Sequence, residues 1–202
     1  MNNGIGAVIL AAGTASRMGR QKLLLPLAGQ PLLTHVLGTV RKLPWADCIA
    51  VIGEPEAELA ALCHTQAIRS IYNSKRQQGQ AASITLGVQQ LTSDLAGIMF
   101  FLGDQPLISP ALIAGVIDQF TQSASDKAII VPCYQGQRYS PVLFGGYWRG
   151  SLATLSGDTG GRQIMHANPA QVVEVNWPEQ TPFYDADTWE DYQRLKKVTV
   201  NL

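Results

Sequence analysis

The stretch VILAAGTASRMGRQKLLLPLAGQPLL, residues 8–33, decides the fold. It begins with a short apolar run that predicts a buried strand, and then passes into glycines, small polar residues and cations. Apolar residues return after Pro31 at the i, i+3, i+4 spacing of an amphipathic helix, and Pro31 is a favoured first helical residue. A strand, a glycine-containing loop and a helix in this order predict the beginning of an α/β fold.

The same alternation of strands and helices continues along the chain. Helical spacing follows Ser109 and Pro110, and the apolar run IMFFL, residues 98–102, indicates a parallel sheet covered on both faces. Residues 134–146 carry glycines and Pro141, and they predict a hairpin-like excursion near a sheet edge. The pattern as a whole is typical of a doubly wound α/β protein. The predicted strands are residues 7–11, 48–52, 67–71, 97–102, 128–132, 140–144 and 172–175.

Composition excludes several classes of protein. Fifteen acidic and fifteen basic residues cancel, and charged residues make up 15% of the 202 residues. This balance provides no electrostatic surface for nucleic acid or for an anionic membrane. The three scattered cysteines, Cys48, Cys63 and Cys133, form no CxxC pair and argue against a disulfide framework or a structural zinc site. The amino-terminal apolar run is too short to span a bilayer, so we expect a cytoplasmic protein.

The loop after the first predicted strand has the features of a polyphosphate site. Gly13 and Gly19 let the backbone turn tightly and approach a ligand, and successive N–H groups can form a nest for an anion. Arg17 and Lys22 add positive charge suited to phosphate. A Walker A loop and a GxGxxG fingerprint are excluded, since leucine follows Lys22 and the second glycine is missing. From these residues alone, a surface turn with incidental cations stays the alternative.

The run LAAGTASRMGRQK, residues 10–22, resembles the LAAGxSxRMGxxK signature of nucleotidyltransferases that share the fold of the molybdenum-cofactor cytidylyltransferases, the MocA-like family. The resemblance implies one domain over residues 1–202, with a Rossmann-like three-layer α/β/α fold and a mostly parallel sheet. It implies that Arg17 and Lys22 bind the triphosphate of a nucleotide and take part in catalysis. The other nucleotide-binding residues implied by this run are Leu10, Ala11, Ala12 and Gly13.

Three aspartates are candidate metal ligands. Asp104 ends an apolar strand, where it either caps a turn or binds the Mg²⁺ that a polyphosphate loop requires. Its GDQP run resembles the GDQP or GDMP element of the family, whose aspartate holds the metal. Asp185 and Asp187 lie in DADTWEDY, which resembles the family element DxDTPEDY that returns to the metal site. Local chemistry makes Asp187 or Thr188 a helix cap, so the second ligand stays open. The resemblance implies Mg²⁺, with Mn²⁺ as the alternative ion.

The run YNSKRQQGQAASITLGV supplies candidate contacts to the base and ribose of the nucleotide. Gly79 and Ser83 match the spacing of a glycine and a serine that contact the pyrimidine side in related cytidylyltransferases, whereas Asn73 is equally consistent with ordinary loop chemistry. Ala12 favours CTP, because guanylyltransferases acting on molybdopterin typically read LAGG and a glycine leaves more room for a purine. Arg162 either stands in a capped helix or contacts an acceptor phosphate.

These observations predict an enzyme of the EC 2.7.7 class. The resemblance implies transfer of CMP from CTP to the terminal phosphate of molybdopterin or the molybdenum cofactor, with release of pyrophosphate and with a molybdenum hydroxylase receiving the product. An acceptor phosphate is already anionic near neutral pH, so no general base is required. The alternatives are a transferase that uses GTP or another phosphorylated acceptor, and a non-catalytic molybdenum-cofactor chaperone.

Overall fold

The computed structural model describes residues 4–13, 19–92, 94–157 and 159–199. Arg17 and Asp158 lie outside this part of the chain. The strands within it are β1 (Ile5–Ala11), β2 (Pro26–Leu27), β3 (Gln30–Pro31), β4 (Asp47–Ile52), β5 (Arg69–Tyr72), β6 (Gly97–Leu102), β7 (Ile129–Tyr134), β8 (Gln137–Arg138), β9 (Val142–Gly145) and β10 (Val172–Asn176). The α-helices are α1 (Leu32–Arg41), α2 (Glu56–Thr65), α3 (Gln80–Gln90), α4 (Pro110–Ser123), α5 (Arg149–Leu152), α6 (Arg162–Ala167) and α7 (Trp189–Thr199).

The main sheet has the strand order β10-β7-β9-β6-β1-β4-β5, with β8 paired to β7. β1 pairs in parallel with both β4 and β6, and β4 with β5 and β10 with β7 are parallel as well. β9 is antiparallel to its two neighbours, β6 and β7. The predicted α/β fold with a mostly parallel sheet is therefore confirmed.

Alternation along the strands explains the three layers. Ala7 and Ile9 in β1 pack into one apolar cluster with buried side chains of α1, α2 and α4. Val8, between them in the chain, packs into a second cluster with side chains of α3, α5 and α6. Successive strand residues point to opposite faces, so a strand that is apolar at every position requires helices on both sides.

The predicted excursion at residues 134–146 exists, but its predicted place in the sheet is wrong. β7 and β8 form the expected antiparallel hairpin. The chain then continues into β9, which lies inside the sheet between β6 and β7 and is buried at three of its four residues. The glycines and Pro141 indicated an edge, whereas Leu143 and Phe144 give β9 two fully apolar faces that the neighbouring layers cover.

Helix starts follow local chemistry, with small differences from prediction. The side chain of Ser109 accepts a hydrogen bond from the Leu112 N–H at the start of α4, as an N-cap residue does. Pro31 precedes α1 as its N-cap residue and does not occupy the first helical position, because it also pairs with Pro26 in the β2–β3 ribbon. No helix in the described ranges is long and apolar enough to cross a membrane.

A third apolar cluster ties the carboxyl-terminal segment to the ribbon after the first loop. Leu27 and Leu32 pack there against Tyr192 and Leu195 of α7. The Tyr192 hydroxyl donates a hydrogen bond of 2.6 Å to the backbone carbonyl of Pro26. This packing holds the segment that precedes α7 beside the loop that follows β1.

Candidate active site

The site lies where β1 and β6 end side by side. Leu10 and Leu102 are register partners, and the Gly103 N–H donates to the Leu10 carbonyl at 2.9 Å. A side chain at Gly103 would stand only 3.1 Å from that carbonyl oxygen and 3.2 Å from the Ala11 side chain. Glycine therefore lets the residue that follows, Asp104, emerge directly beside the first loop.

Lys22 connects the first loop to two of the three predicted aspartates. It begins a short 3-10 turn, Lys22–Leu24, whose preceding residue Gln21 accepts the Leu23 N–H through its side chain. The Lys22 ammonium nitrogen lies 2.5 Å from Asp104 Oδ2 and 2.6 Å from Asp187 Oδ1. The side chains of Lys22 and Asp104 are largely buried, and that of Asp187 is half exposed.

The electrostatics of the cluster follow from this arrangement. Burial lowers the pKa of Lys22, but the neighbouring charges of Asp104 and Asp187 and their hydrogen bonds raise that pKa above its ordinary value, so Lys22 is an ammonium ion. Burial raises the pKa of Asp185 to about 6, and the negative charges of Asp104 and Asp187 add to the effect. The cluster therefore holds more negative charge than Lys22 neutralises.

The helix-capping alternative for Asp187 is not what the structure shows. The Thr188 hydroxyl accepts the Asp191 N–H at 3.2 Å, and the Asp191 carboxylate accepts the Thr188 N–H at 3.0 Å. This reciprocal pair is a capping box at the start of α7. Thr188 is therefore the residue that caps α7, and the side chain of Asp187 contacts Lys22 instead.

The donor set fits a divalent cation that is shared with a ligand. No group of three or more His, Cys, Asp or Glu side chains within the described ranges is arranged to hold a metal ion by itself. Asp104 and Asp187 nevertheless approach one cationic nitrogen from two sides, so a positive charge is held between them. Mg²⁺ commonly uses one or two carboxylates and takes its remaining ligands from substrate phosphates and water. This chemistry matches the two carboxylates and an incoming triphosphate.

The cleft over this cluster has a volume of about 420 Å³. Gly79 precedes α3 with a φ of +93°, which favours glycine, and Ser83 follows in the first turns of that helix. Asn73 does not line the cleft; its side-chain amide donates to the Ser83 hydroxyl at 2.9 Å, and both residues are buried. The predicted residues that line the cleft are Leu10, Ala11, Ala12, Gly13, Lys22, Gly79, Ser83, Asp104, Asp185 and Asp187.

The structure adds two polar lining residues that the sequence reasoning missed. Arg76 brings a third cation beside Lys22 and Arg162, and Gln80 follows Gly79 at the start of α3. The basic residues of the run KRQQGQ could have indicated Arg76 as a site residue, because a cation shortly before a glycine at the start of a helix is well placed to bind phosphate.

The two glycines of the first loop differ in conformation. Gly19 has a φ of +64°, as a tight turn requires, whereas Gly13 has open space around its Cα.

A second cleft of about 240 Å³ adjoins the first and shares Arg162 and Asp185 with it. Its lining mixes apolar and polar side chains, and the rings of Tyr139 and Phe183 stack on each other there with centroids 4.5 Å apart and planes 14° apart. α6 begins at Arg162, and Thr159 accepts the Arg162 N–H through its backbone carbonyl and not through a side-chain cap.

Comparison with known proteins agrees with this geometry. A model of the MobA-like NTP transferase domain family matches residues 7–173. The chain therefore belongs to the MobA-like NTP transferase domain family, whose fold is that of the nucleotidyltransferases.

The relatives carry names of several kinds. A probable molybdenum cofactor guanylyltransferase from Natranaerobius thermophilus is 27% identical to this chain, and the match covers 98% of this chain and 97% of that protein. The purine catabolism protein PucB of Bacillus subtilis is 28% identical over 95% of both chains. The bifunctional protein GlmU of Sphingopyxis alaskensis is 31% identical over 65% of this chain. That match covers 29% of GlmU, so the chain spans less than a third of the length of this relative.

Among solved structures, Rv0371c from Mycobacterium tuberculosis H37Rv in complex with manganese superimposes with a TM-score of 0.82. The two proteins are 28% identical, and the match covers 98% of this chain and all of the other. The manganese belongs to that protein, and it is consistent with use of a divalent metal by nucleotidyltransferases of this fold.

Proposed function

We propose that this protein transfers CMP from CTP to the terminal phosphate of molybdopterin or the molybdenum cofactor and releases pyrophosphate, as an enzyme of the EC 2.7.7 class. The observation that carries the proposal is the contact of Lys22 with Asp104 and Asp187 at the mouth of a loop with the nucleotidyltransferase signature. One cation and two carboxylates there suit a triphosphate with its metal.

Nucleotide binding would exchange the partners of this cluster. The triphosphate would bind the Lys22 ammonium together with Arg17 and Arg76. Asp104, with Asp187 or Asp185, would then hold Mg²⁺ or Mn²⁺. When bound, the ion would neutralise charge on the triphosphate as pyrophosphate leaves. The divalent ion would then replace Lys22 as the positive charge between the carboxylates of Asp104 and Asp187.

Positioning accounts for the rest of the chemistry. The second pKa of a phosphate monoester is about 6, so the acceptor oxygen is anionic near neutral pH and attacks the α-phosphorus of CTP directly. Arg162 lines both clefts, and it would bind the acceptor phosphate beside the nucleotide. Holding the two phosphates in line lowers the barrier without a general base.

The choice of nucleotide depends on Ala12. This residue is 5% exposed, and its backbone stands 3.1 Å from where a side chain on Gly53 would begin, so little room remains around it. The methyl group of Ala12 narrows the space beside the base and favours a pyrimidine. GTP is the second candidate, because a relative that matches nearly the whole chain is named a probable molybdenum cofactor guanylyltransferase.

A nucleotide panel tests the proposal. The purified protein is incubated with purified molybdopterin, Mg²⁺ and each of CTP, GTP, ATP and UTP, while pyrophosphate release and the nucleotide on the product are measured. We expect pyrophosphate release with CTP and a cytosine dinucleotide product. Turnover with GTP alone would establish the second candidate, and tight cofactor binding without turnover for any nucleotide would instead establish a carrier.

A further inference from the structure

Gln105 presents a buried polar atom that the fold leaves unpaired. The residue is 3% exposed, and its side-chain Nε2 donates to the backbone carbonyl of Phe183 at 3.4 Å. Its Oε1 is buried without a hydrogen-bond partner anywhere in the described part of the chain. Buried acceptors without partners are rare in native proteins, because they lose their hydrogen bonds to water without replacement.

The orientation of this amide is determined by its one partner. The Phe183 carbonyl is an acceptor only, so it requires the NH₂ end of the Gln105 side chain. A flipped amide would bring two acceptor oxygens together and leave the NH₂ unpaired. Oε1 is therefore the end of Gln105 that lacks a hydrogen-bond partner.

Gln105 lines the second cleft and belongs to the wall that includes Phe183 and Tyr139. Arg162 and Asp185 stand where that cleft meets the nucleotide cleft. Gln105 follows Asp104 directly in the chain, so the same turn after β6 supplies the candidate metal ligand to one cleft and an unpaired acceptor to the other.

We propose that Gln105 is a specificity-determining residue for the acceptor substrate: its Oε1 accepts a hydrogen bond from an N–H or O–H group of the molecule bound in the second cleft. The inference rests on the proposed function and names what the second substrate must carry besides its phosphate. The stacked rings of Tyr139 and Phe183 form an apolar wall that suits a planar ring. The acceptor is then a phosphate monoester with a planar, N–H-bearing heterocycle, a chemistry that the pterin ring of molybdopterin satisfies.

Variants of Gln105 separate this role from a structural one. Gln105→Met keeps the length of the side chain and removes the acceptor oxygen, and Gln105→Leu removes the same oxygen with a shorter apolar side chain. Gln122→Met, at an exposed position of α4 that lines neither cleft, is the matched control. Steady-state KM values for molybdopterin and for CTP, kcat, melting temperatures and the Kd of molybdopterin in the absence of nucleotide are measured for each protein.

We expect Gln105→Met to raise the KM and the Kd for molybdopterin by about tenfold to a hundredfold, the cost of an unpaired donor on the ligand. KM for CTP stays within about twofold, Gln105→Leu loses molybdopterin affinity as Gln105→Met does, and the control matches the unaltered protein. Unchanged molybdopterin affinity in Gln105→Met overturns the inference, as does an equal loss of CTP affinity. If Gln105→Met does not fold, unchanged molybdopterin affinity in a folded Gln105→Leu overturns it.

The two proposals fail differently. An unaltered protein that transfers CMP to molybdopterin while Gln105→Met keeps its acceptor affinity refutes only the role of Gln105. An unaltered protein that neither binds nor modifies molybdopterin refutes the proposed function, and the role of Gln105 falls with it.

Discussion

Lys22 contacts two residues of the candidate site that are far from it in the sequence. Its ammonium contacts Asp104, 82 residues away along the chain, and Asp187, 165 residues away. Each of these residues stands in a short motif that resembles a phosphate-binding or metal-binding element of the family. The contact between them does not follow from any of the three motifs, because it depends on how the chain returns to the first loop.

Asp104→Asn tests the charge at this site. The amide keeps the size of the side chain but removes the negative charge that would hold the divalent ion, so we expect kcat/KM to fall at least a hundredfold. Circular dichroism and the melting temperature should show an intact fold, and Asp118→Asn, an exposed acid on α4, should keep full activity. Unchanged turnover in Asp104→Asn would rule out the metal assignment.

Ala12→Gly tests the nucleotide preference. Removing one methyl group enlarges the space beside the base, so we expect the ratio of kcat/KM for GTP to that for CTP to rise about tenfold. Parallel assays with both nucleotides under the same conditions measure the ratio. A ratio that does not change would show that Ala12 does not select the base.

At the scale of elements, local patterns predicted seven strands of the main sheet, but not the β2–β3 ribbon, and they predicted where α1 and α4 begin to within one residue. β6 has the predicted bounds, and Ser109 caps α4 as expected. β9 was placed at an edge because glycine and proline flank it, yet it lies inside the sheet. Burial on both faces is a long-range property that four residues with turn signals on either side cannot reveal.

The cleft residues Gly79 and Ser83 lie at the beginning of α3, and Arg149 forms hydrogen bonds at the other end of this helix. The Arg149 guanidinium donates to the carbonyls of Val88, Leu91 and Thr92 at 2.8 to 3.0 Å. These groups lack partners within the helix, and a cation at this end also favours the helix dipole.

Arg149→Met should therefore lower the free energy of unfolding by about 2 kcal/mol, the range for hydrogen bonds to a charged group. Urea unfolding followed by circular dichroism measures the change. Arg149→Lys keeps the positive charge but not the several N–H donors of the guanidinium, so we expect a free energy of unfolding between those of Arg149→Met and the unaltered protein. KM for CTP should be unchanged in both variants at 25 °C. A stability equal to that of the unaltered protein would show that these bonds contribute nothing.

At the scale of the whole molecule, the Lys22 cluster lies where three distant parts of the chain meet. The loop after β1, the turn after β6 and the segment before α7 come together at the carboxyl ends of parallel strands, where open α/β sheets bind ligands. The packing of Tyr192 against the β2–β3 ribbon holds the third part in place.

Binding of a nucleotide with its metal should stabilise this arrangement. A ligand present at a hundred times its Kd stabilises the folded state by about 2.7 kcal/mol, so CTP with Mg²⁺ or Mn²⁺ should raise the melting temperature by several degrees. EDTA should abolish most of the increase, because the carboxylates then repel the triphosphate. An increase with CTP that is independent of metal would contradict the proposed metal site.

The sequence by itself determined the α/β class, the strand and helix pattern and the motifs of the first loop, because periodicity and turn chemistry act over a few neighbouring residues. Only the tertiary structure decided that β9 enters the sheet, that Thr188 takes the cap while Asp187 contacts Lys22, and that Gln105 keeps an unpaired oxygen in a second cleft. Those features arise from contacts between segments far apart in the chain, and such contacts depend on how the layers pack.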